Sequence, residues 1–88
     1  MDETIEIRRK RLKHRSRRCG MRELDLLLGE FADACLDRLT ADQLERYEAL
    51  LAHPDPEIYR WISGDSATSG AVDAAIVKLI RDFHDHNE

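Results

Sequence analysis

Apolar residues recur at i, i+3, i+4 and i+7 along nearly the whole chain, and no stretch alternates in the manner of a half-buried strand. The pattern is strongest at Leu24, Leu27, Leu28, Phe31, Ala32, Cys35, Leu36 and Leu39. These make an apolar stripe wide enough to sit at the centre of a helical core. With 88 residues there is material for one domain with a thin core. The expected fold is all-α: a small bundle of about five helices in a single domain spanning residues 1–88, with its core in about 4–84.

Local chemistry sets the expected boundaries. A first helix over residues 4–17 places Ile5, Arg9 and Leu12 on one face, with Ile7 off to the side. That stripe is thin, so i,i+4 contacts such as Glu6–Lys10 must support it. Gly20 is expected to stop it, because glycine adopts positive φ without steric cost. The second helix, residues 21–39, carries the main stripe. Glu23 and Asp25 stand in its first turn, where carboxylates complement the helix dipole. Thr40, Ala41, Asp42 and Gln43 form a capping-box pattern before a third helix that turns Leu44, Tyr47, Leu50 and Leu51 inward. Pro54 ends it. Asp55 and Pro56 read as N-cap and first residue of a fourth helix, 56–63, which presents Ile58, Trp61 and Ile62 and stops at Gly64. After a polar loop at 65–70, a fifth helix over 71–84 should bury Val72, Ala75, Ile76, Leu79, Ile80 and Phe83, with a frayed tail behind it. Leu24, Leu28, Phe31, Tyr47, Leu50, Trp61, Ile76, Leu79 and Ile80 are expected in one core.

Charge is divided sharply. Residues 1–22 hold nine Lys/Arg against three Asp/Glu, and the remainder hold five against fifteen, giving a net charge of −4. A basic head on an acidic body points to a partner that is acidic where the head lands. Two cysteines without CxxC spacing make no disulfide framework. No apolar h-region follows the acidic start Met1-Asp2-Glu3, and no run of about 18 apolar residues occurs, so the expected setting is the cytoplasm with reduced thiols. A drug-sized pocket of roughly 300 Å³ or more would compete with so small a core, which favours a binding module over an enzyme.

The residues most open to a functional reading lie at the end of the basic head: Arg17, Arg18, Cys19, Gly20, Met21, Arg22, Glu23 and Asp25. Taken alone, Gly20 reads as a helix-end glycine and Glu23 as a dipole carboxylate. The basic run from Arg8 to Arg18 reads as a client-binding surface, a solvated face or a nucleic-acid patch. Cys19, among arginines near a helix N-terminus, has a setting that can lower a thiol pKa. Cys35 lies on the apolar stripe and reads as core. The His84-Asp85-His86 tail is a poor metal site, and no metal ligand or catalytic residue is assigned.

In order, however, these residues resemble a known family. Arg18-Cys19-Gly20-Met21-Arg22-Glu23-Leu24-Asp25 is similar to the RGxxE signature of the SdhE / succinate dehydrogenase assembly factor 2 family, usually seen within R-R-G-M-x-E-L-D. The run Leu26-Leu27-Leu28-Gly29-Glu30-Phe31-Ala32-Asp33, the segment from Leu39-Thr40 to Leu50-Leu51, and Pro54-Asp55-Pro56 followed by Tyr59, Trp61 and Ile62 extend the resemblance over about residues 8–83. One position departs: Cys19 stands where the family has arginine, and Arg18 and Arg22 are out of register with it. A small thiol thus replaces a guanidinium able to make forked hydrogen bonds.

The resemblance implies an assembly factor, not an enzyme. Such a factor binds the flavoprotein subunit of succinate dehydrogenase, or of the related fumarate reductase, and favours autocatalytic attachment of FAD to a histidine of that subunit. The bundle is expected to be a monomer, and the resemblance implies that it holds no cofactor stably and acts on FAD attachment in its partner, with the eight residues above as the contact. Two other function classes compete. A nucleic-acid binder would use the basic first helix, but aromatics are not interleaved with the arginines and no helix-turn-helix turn is evident. An enzyme would need a nucleophile–base pair or a metal cluster, and the sequence offers neither.

Overall fold

The computed structural model describes residues 4–64 and 74–86, and these form five α-helices with no strand among the described residues. They are α1 (Ile5–Ser16), α2 (Arg22–Cys35), α3 (Ala41–Leu51), α4 (Asp55–Ser63) and α5 (Ala74–His86), with a 3-10 turn at Leu36–Arg38 after α2. The all-α expectation holds. The polar loop at 65–70, Val72 and the side chain of His86 lie outside the described residues.

The centre is the α2 stripe. Leu24, Leu28, Phe31, Ala32 and Leu36 are buried, and they meet Leu44, Tyr47 and Leu50 of α3, Ile58, Trp61 and Ile62 of α4, and Ile76, Val77 and Ile80 of α5. Phe31 joins these layers, with ring centroids 5.7 Å from both Tyr47 and Phe83, a separation at which aromatic pairs attract beyond their area burial. Beneath α1, Tyr47 Oη and Ser16 Oγ share a buried hydrogen bond of 2.6 Å, and Ser16 donates to the Leu12 carbonyl at 2.7 Å. Both hydroxyls are therefore satisfied where water is excluded.

Several boundaries differ from the sequence reading, each for a local reason. α2 does not continue to Leu39 but tightens at Leu36, and the chain turns extended at Leu39 to enter the Thr40 cap. The Thr40–Gln43 capping box forms as expected, with both reciprocal hydrogen bonds present. At the start of α4 the N-cap is Pro54, which offers no side chain to the helix, and Asp55 is already helical. Gly64 ends α4 at φ 87°, the only positive φ among the described residues. Gly20 has no positive φ: α1 stops earlier, where the Arg17 N–H folds back onto the His14 carbonyl and the Arg18 N–H onto that of Arg15. In α5 the buried face is turned from the expected one. Val77 is buried and Ala75 exposed, while Leu79 and Phe83 pack half-buried at the core's edge.

Helix α1 is attached differently from the others. Ile5 is 39% exposed and Ile7 56%, leaving Leu12 as its one fully buried apolar residue. Tertiary polar contacts make up for that thin stripe. Arg9 donates from Nε to the Leu36 carbonyl and from Nη2 to the Leu39 carbonyl, both at 2.9 Å. Arg15 donates to the Leu51 carbonyl at 3.1 Å. Arg8 and Arg11 both pair with Glu48 at 3.0 Å, and Lys13 pairs with Asp37. The arginines thus reach carbonyls near helix ends: Arg9 adds a donor to Leu36, which also accepts the Leu39 N–H, and bonds Leu39, while Arg15 bonds Leu51 at the end of α3.

Candidate functional site

The α1–α2 linker and the first turn of α2 bring the motif residues together, and two carboxylates fix the backbone there. The Cys19 N–H donates to Asp25 Oδ1 at 2.8 Å. The next N–H, of Gly20, donates to Asp55 Oδ2 at 2.5 Å, across 35 positions of sequence. Met21 then takes an extended conformation, φ −107° and ψ 127°, and its carbonyl accepts the Asp25 N–H to open α2. A Cβ built on Gly20 would stand 3.1 Å from Asp55 Oδ2. Glycine favours this close approach, and left-handed geometry plays no part in it. Asp55, read from sequence as a helix cap, spends its carboxylate on this linker instead.

The eight candidate residues separate by direction. Arg18, Gly20, Arg22 and Glu23 are exposed at the junction of α1 and α2. The side chains of Arg18, Arg22 and Glu23 make no hydrogen bond or ion pair with the described residues. Cys19, Met21 and Asp25 are half-buried, with Cys19 and Met21 packed against the core. Arg17 leaves the group: it lies across the buried Gly29 and pairs with Asp33, further along α2. The basic run behaves in the same way, since Arg8, Arg9, Arg11, Lys13, Arg15 and Arg17 all have internal partners.

The Cys19 thiol is not activated. Burial pushes its pKa up, Asp55 and Asp25 push it further the same way, and only Arg15, 3.9 Å from Sγ, opposes them. The lowered pKa that the arginine-rich sequence allows for is reversed, because tertiary structure puts two carboxylates beside the thiol and turns the arginines elsewhere. Cys35, expected in the core, is half-exposed on the wall of a groove of about 420 Å³ with Phe31, Leu39, Leu79 and Phe83, and burial raises its pKa too. Among the described residues no His, Cys, Asp or Glu group is arranged to hold a metal ion, and His84 Nε2 lies 3.0 Å from the Leu27 carbonyl. No helix among the described residues is long and apolar enough to cross a membrane.

Two members of this site escaped the sequence reading. Asp55 reads mainly as a cap, with a surface role left open by the resemblance, since nothing local ties it to Gly20. Leu26 is 60% exposed on α2, one turn from Arg22 and Glu23. Its distance from the main stripe of apolar residues was the available signal.

Comparison with known proteins bears on this geometry. Residues 10–84 match the family described as "Flavinator of succinate dehydrogenase". Succinate dehydrogenase assembly factor 2, mitochondrial, of Dictyostelium discoideum is 40% identical over 77 residues, covering 88% of this chain and 55% of that protein. The Candida glabrata protein of the same name is 36% identical over 92 residues, covering 100% and 60%. Succinate dehydrogenase assembly factor 2-B, mitochondrial, of Drosophila ananassae is 37% identical over 83 residues, covering 92% and 51%. The chain thus spans little more than half the length of these relatives. Their names place them in mitochondria, so the cytoplasmic setting expected from the sequence finds no support in them.

Proposed function

The chain belongs to the family of flavinators of succinate dehydrogenase, and on that premise we propose that it binds a flavoprotein subunit and promotes covalent attachment of FAD to it. The client is the succinate dehydrogenase flavoprotein subunit, with the related fumarate reductase subunit as a second candidate. The bond-making chemistry belongs to the flavin and the client. The helper contributes binding energy and orientation, which count heavily in a reaction limited by geometry. It acts as a monomer and holds no cofactor of its own.

One observation carries the reading: Glu23 is exposed at the start of α2 with no partner among the described residues, in a segment where Arg18, Gly20 and Arg22 are exposed too. Polar groups of both signs without internal partners suit specific pairing across an interface. Leu26 adds an apolar contact on the same face. Gly20 provides close backbone approach, and Cys19, Met21 and Asp25 support the surface from beneath. The nucleic-acid alternative is weakened because six basic residues of the head already serve carbonyls and carboxylates of the bundle.

The test is co-expression of the client subunit with the wild-type chain or with Glu23→Ala, read by in-gel flavin fluorescence of the denatured client. Wild type should raise covalent flavin. Glu23→Ala should lose most of that gain while its circular dichroism stays unchanged, since an exposed first-turn carboxylate contributes at most about 1 kcal/mol to the fold. A folded Glu23→Ala protein with wild-type flavin levels would remove this surface from the interface.

A further inference from the structure

Asp55 belongs to α4, yet its carboxylate is directed at the α1–α2 linker rather than at its own helix. The helix start offers it no side-chain capping bond, and Oδ2 instead accepts the Gly20 N–H. A charge-assisted bond of this kind is stronger and more directional than a neutral one. The spacing is tight, since a Cβ at Gly20 would stand 3.1 Å from Oδ2 and the carboxylate would have to give by a few tenths of an ångström. Asp25 holds the preceding N–H at 2.8 Å, so two successive amides of the linker are fixed from two different helices. Three residues later the chain presents Glu23. The direction in which that carboxylate leaves the surface depends on the path of the linker.

We infer that Asp55 is a positioning residue for client binding: by holding the Gly20 amide it sets the orientation of the Arg22–Glu23 turn that meets the flavoprotein subunit. The inference rests on the reading of Glu23 as a client contact. It adds a requirement that the RGxxE-like segment does not contain, namely a carboxylate from α4. Binding energy is sensitive to such placement, because an interface group out of register forfeits its pairing while still losing its water.

The test uses the full chain with Asp55→Ala and Asp55→Asn. Alanine removes the acceptor, whereas asparagine keeps a carbonyl oxygen of the same reach without the charge. In the free protein the Gly20 amide resonance should move markedly in Asp55→Ala and less in Asp55→Asn, with helical circular dichroism retained in both. Covalent flavin on the client is then measured against increasing concentrations of each variant. Asp55→Ala should need about tenfold more protein to reach half the effect, the size of one lost charge-assisted hydrogen bond, and should reach the wild-type plateau. Asp55→Asn should recover most of that shift. A wild-type titration curve for Asp55→Ala would overturn the inference. So would equal loss in both variants with an unmoved Gly20 amide, since Asp55 would then touch the client itself. Failure of the underlying reading looks different: wild type would raise no flavin, or Glu23→Ala would match wild type, while the Gly20 amide still responded to Asp55.

Discussion

Gly20 and Cys19 sit within a few ångströms of the same carboxylate and answer to it differently. At Gly20 the constraint is steric. Gly20→Ala would bring a methyl group to 3.1 Å from Asp55 Oδ2, so the carboxylate must yield and its bond to the amide lengthens. The cost to stability should be about 1 kcal/mol, within the range of a single weakened hydrogen bond. The loss of client flavin should be disproportionate, and thermal melts beside the flavin assay separate the two. At Cys19 the constraint is electrostatic. Burial first, then Asp55 and Asp25, hold the thiol protonated above its ordinary 9.0. In a Cys35→Ala background, iodoacetamide should therefore label Cys19 more slowly than a model thiol at about pH 8, because only the thiolate reacts. Asp55→Asn should speed that labelling by removing one of the raising charges. An unchanged rate would place Asp55 away from the thiol.

Helix α1 shows how an element with little apolar surface is retained. Its contribution to the core is chiefly Leu12, and its attachment rests on side chains that reach carbonyl groups of other elements. Arg9 is the strongest of these, with one guanidinium closing two carbonyls at 2.9 Å each. Arg9→Met keeps most of the aliphatic stem and removes both bonds. It should destabilise the protein by about 1.5–3 kcal/mol, the range for hydrogen bonds to a charged group. Lys10→Ala, at an exposed position of the same helix, should stay within about 0.5 kcal/mol. Urea midpoints of the two variants make the comparison. Equal midpoints would mean that the two Arg9 hydrogen bonds do not help to hold α1.

For the molecule as a whole, stability passes through Phe31 and Tyr47. Phe31 is fully buried and packs on both Tyr47 and Phe83. Phe31→Ala should cost about 3–5 kcal/mol, a large share of what a domain of this size possesses. A melting temperature equal to wild type would contradict its place in the core. Tyr47 gives the fold a pH dependence. Burial pushes its phenol above the ordinary 10.0, with the Ser16 hydrogen bond opposing in part. The folded state thus disfavours the ionised form. Its stabilising contribution is complete below pH 10.0 and is lost as pH rises toward the folded-state value. Cys19 acts with the same sign from its own ordinary value of 9.0. Tyr47→Phe should cost about 1 kcal/mol at neutral pH through the lost Ser16 bond. It should also lessen the alkaline fall in stability, as pH-resolved urea unfolding would show.

Periodicity and caps were enough to identify the helices, because amphipathic spacing and capping chemistry are local: Leu24, Leu28, Phe31, Thr40, Gln43 and Gly64 all serve as their neighbours in sequence imply. The exposed position of Glu23 at the α1–α2 junction was legible from the family resemblance and its i,i+3 spacing from Gly20. The direction of the charged side chains was not. A string of arginines reads as a free basic surface, but long side chains take whichever unsatisfied carbonyl or carboxylate packing brings within reach, as Arg9, Arg15 and Arg17 do. Asp55 reads as a cap because a capping residue needs only its own helix, whereas its partner here is an amide 35 positions away. Gly20 likewise suggests a left-handed turn, since positive φ is the local reason to use glycine. What the structure shows instead, a carboxylate that a Cβ would crowd at 3.1 Å, exists only after α4 has folded against the linker.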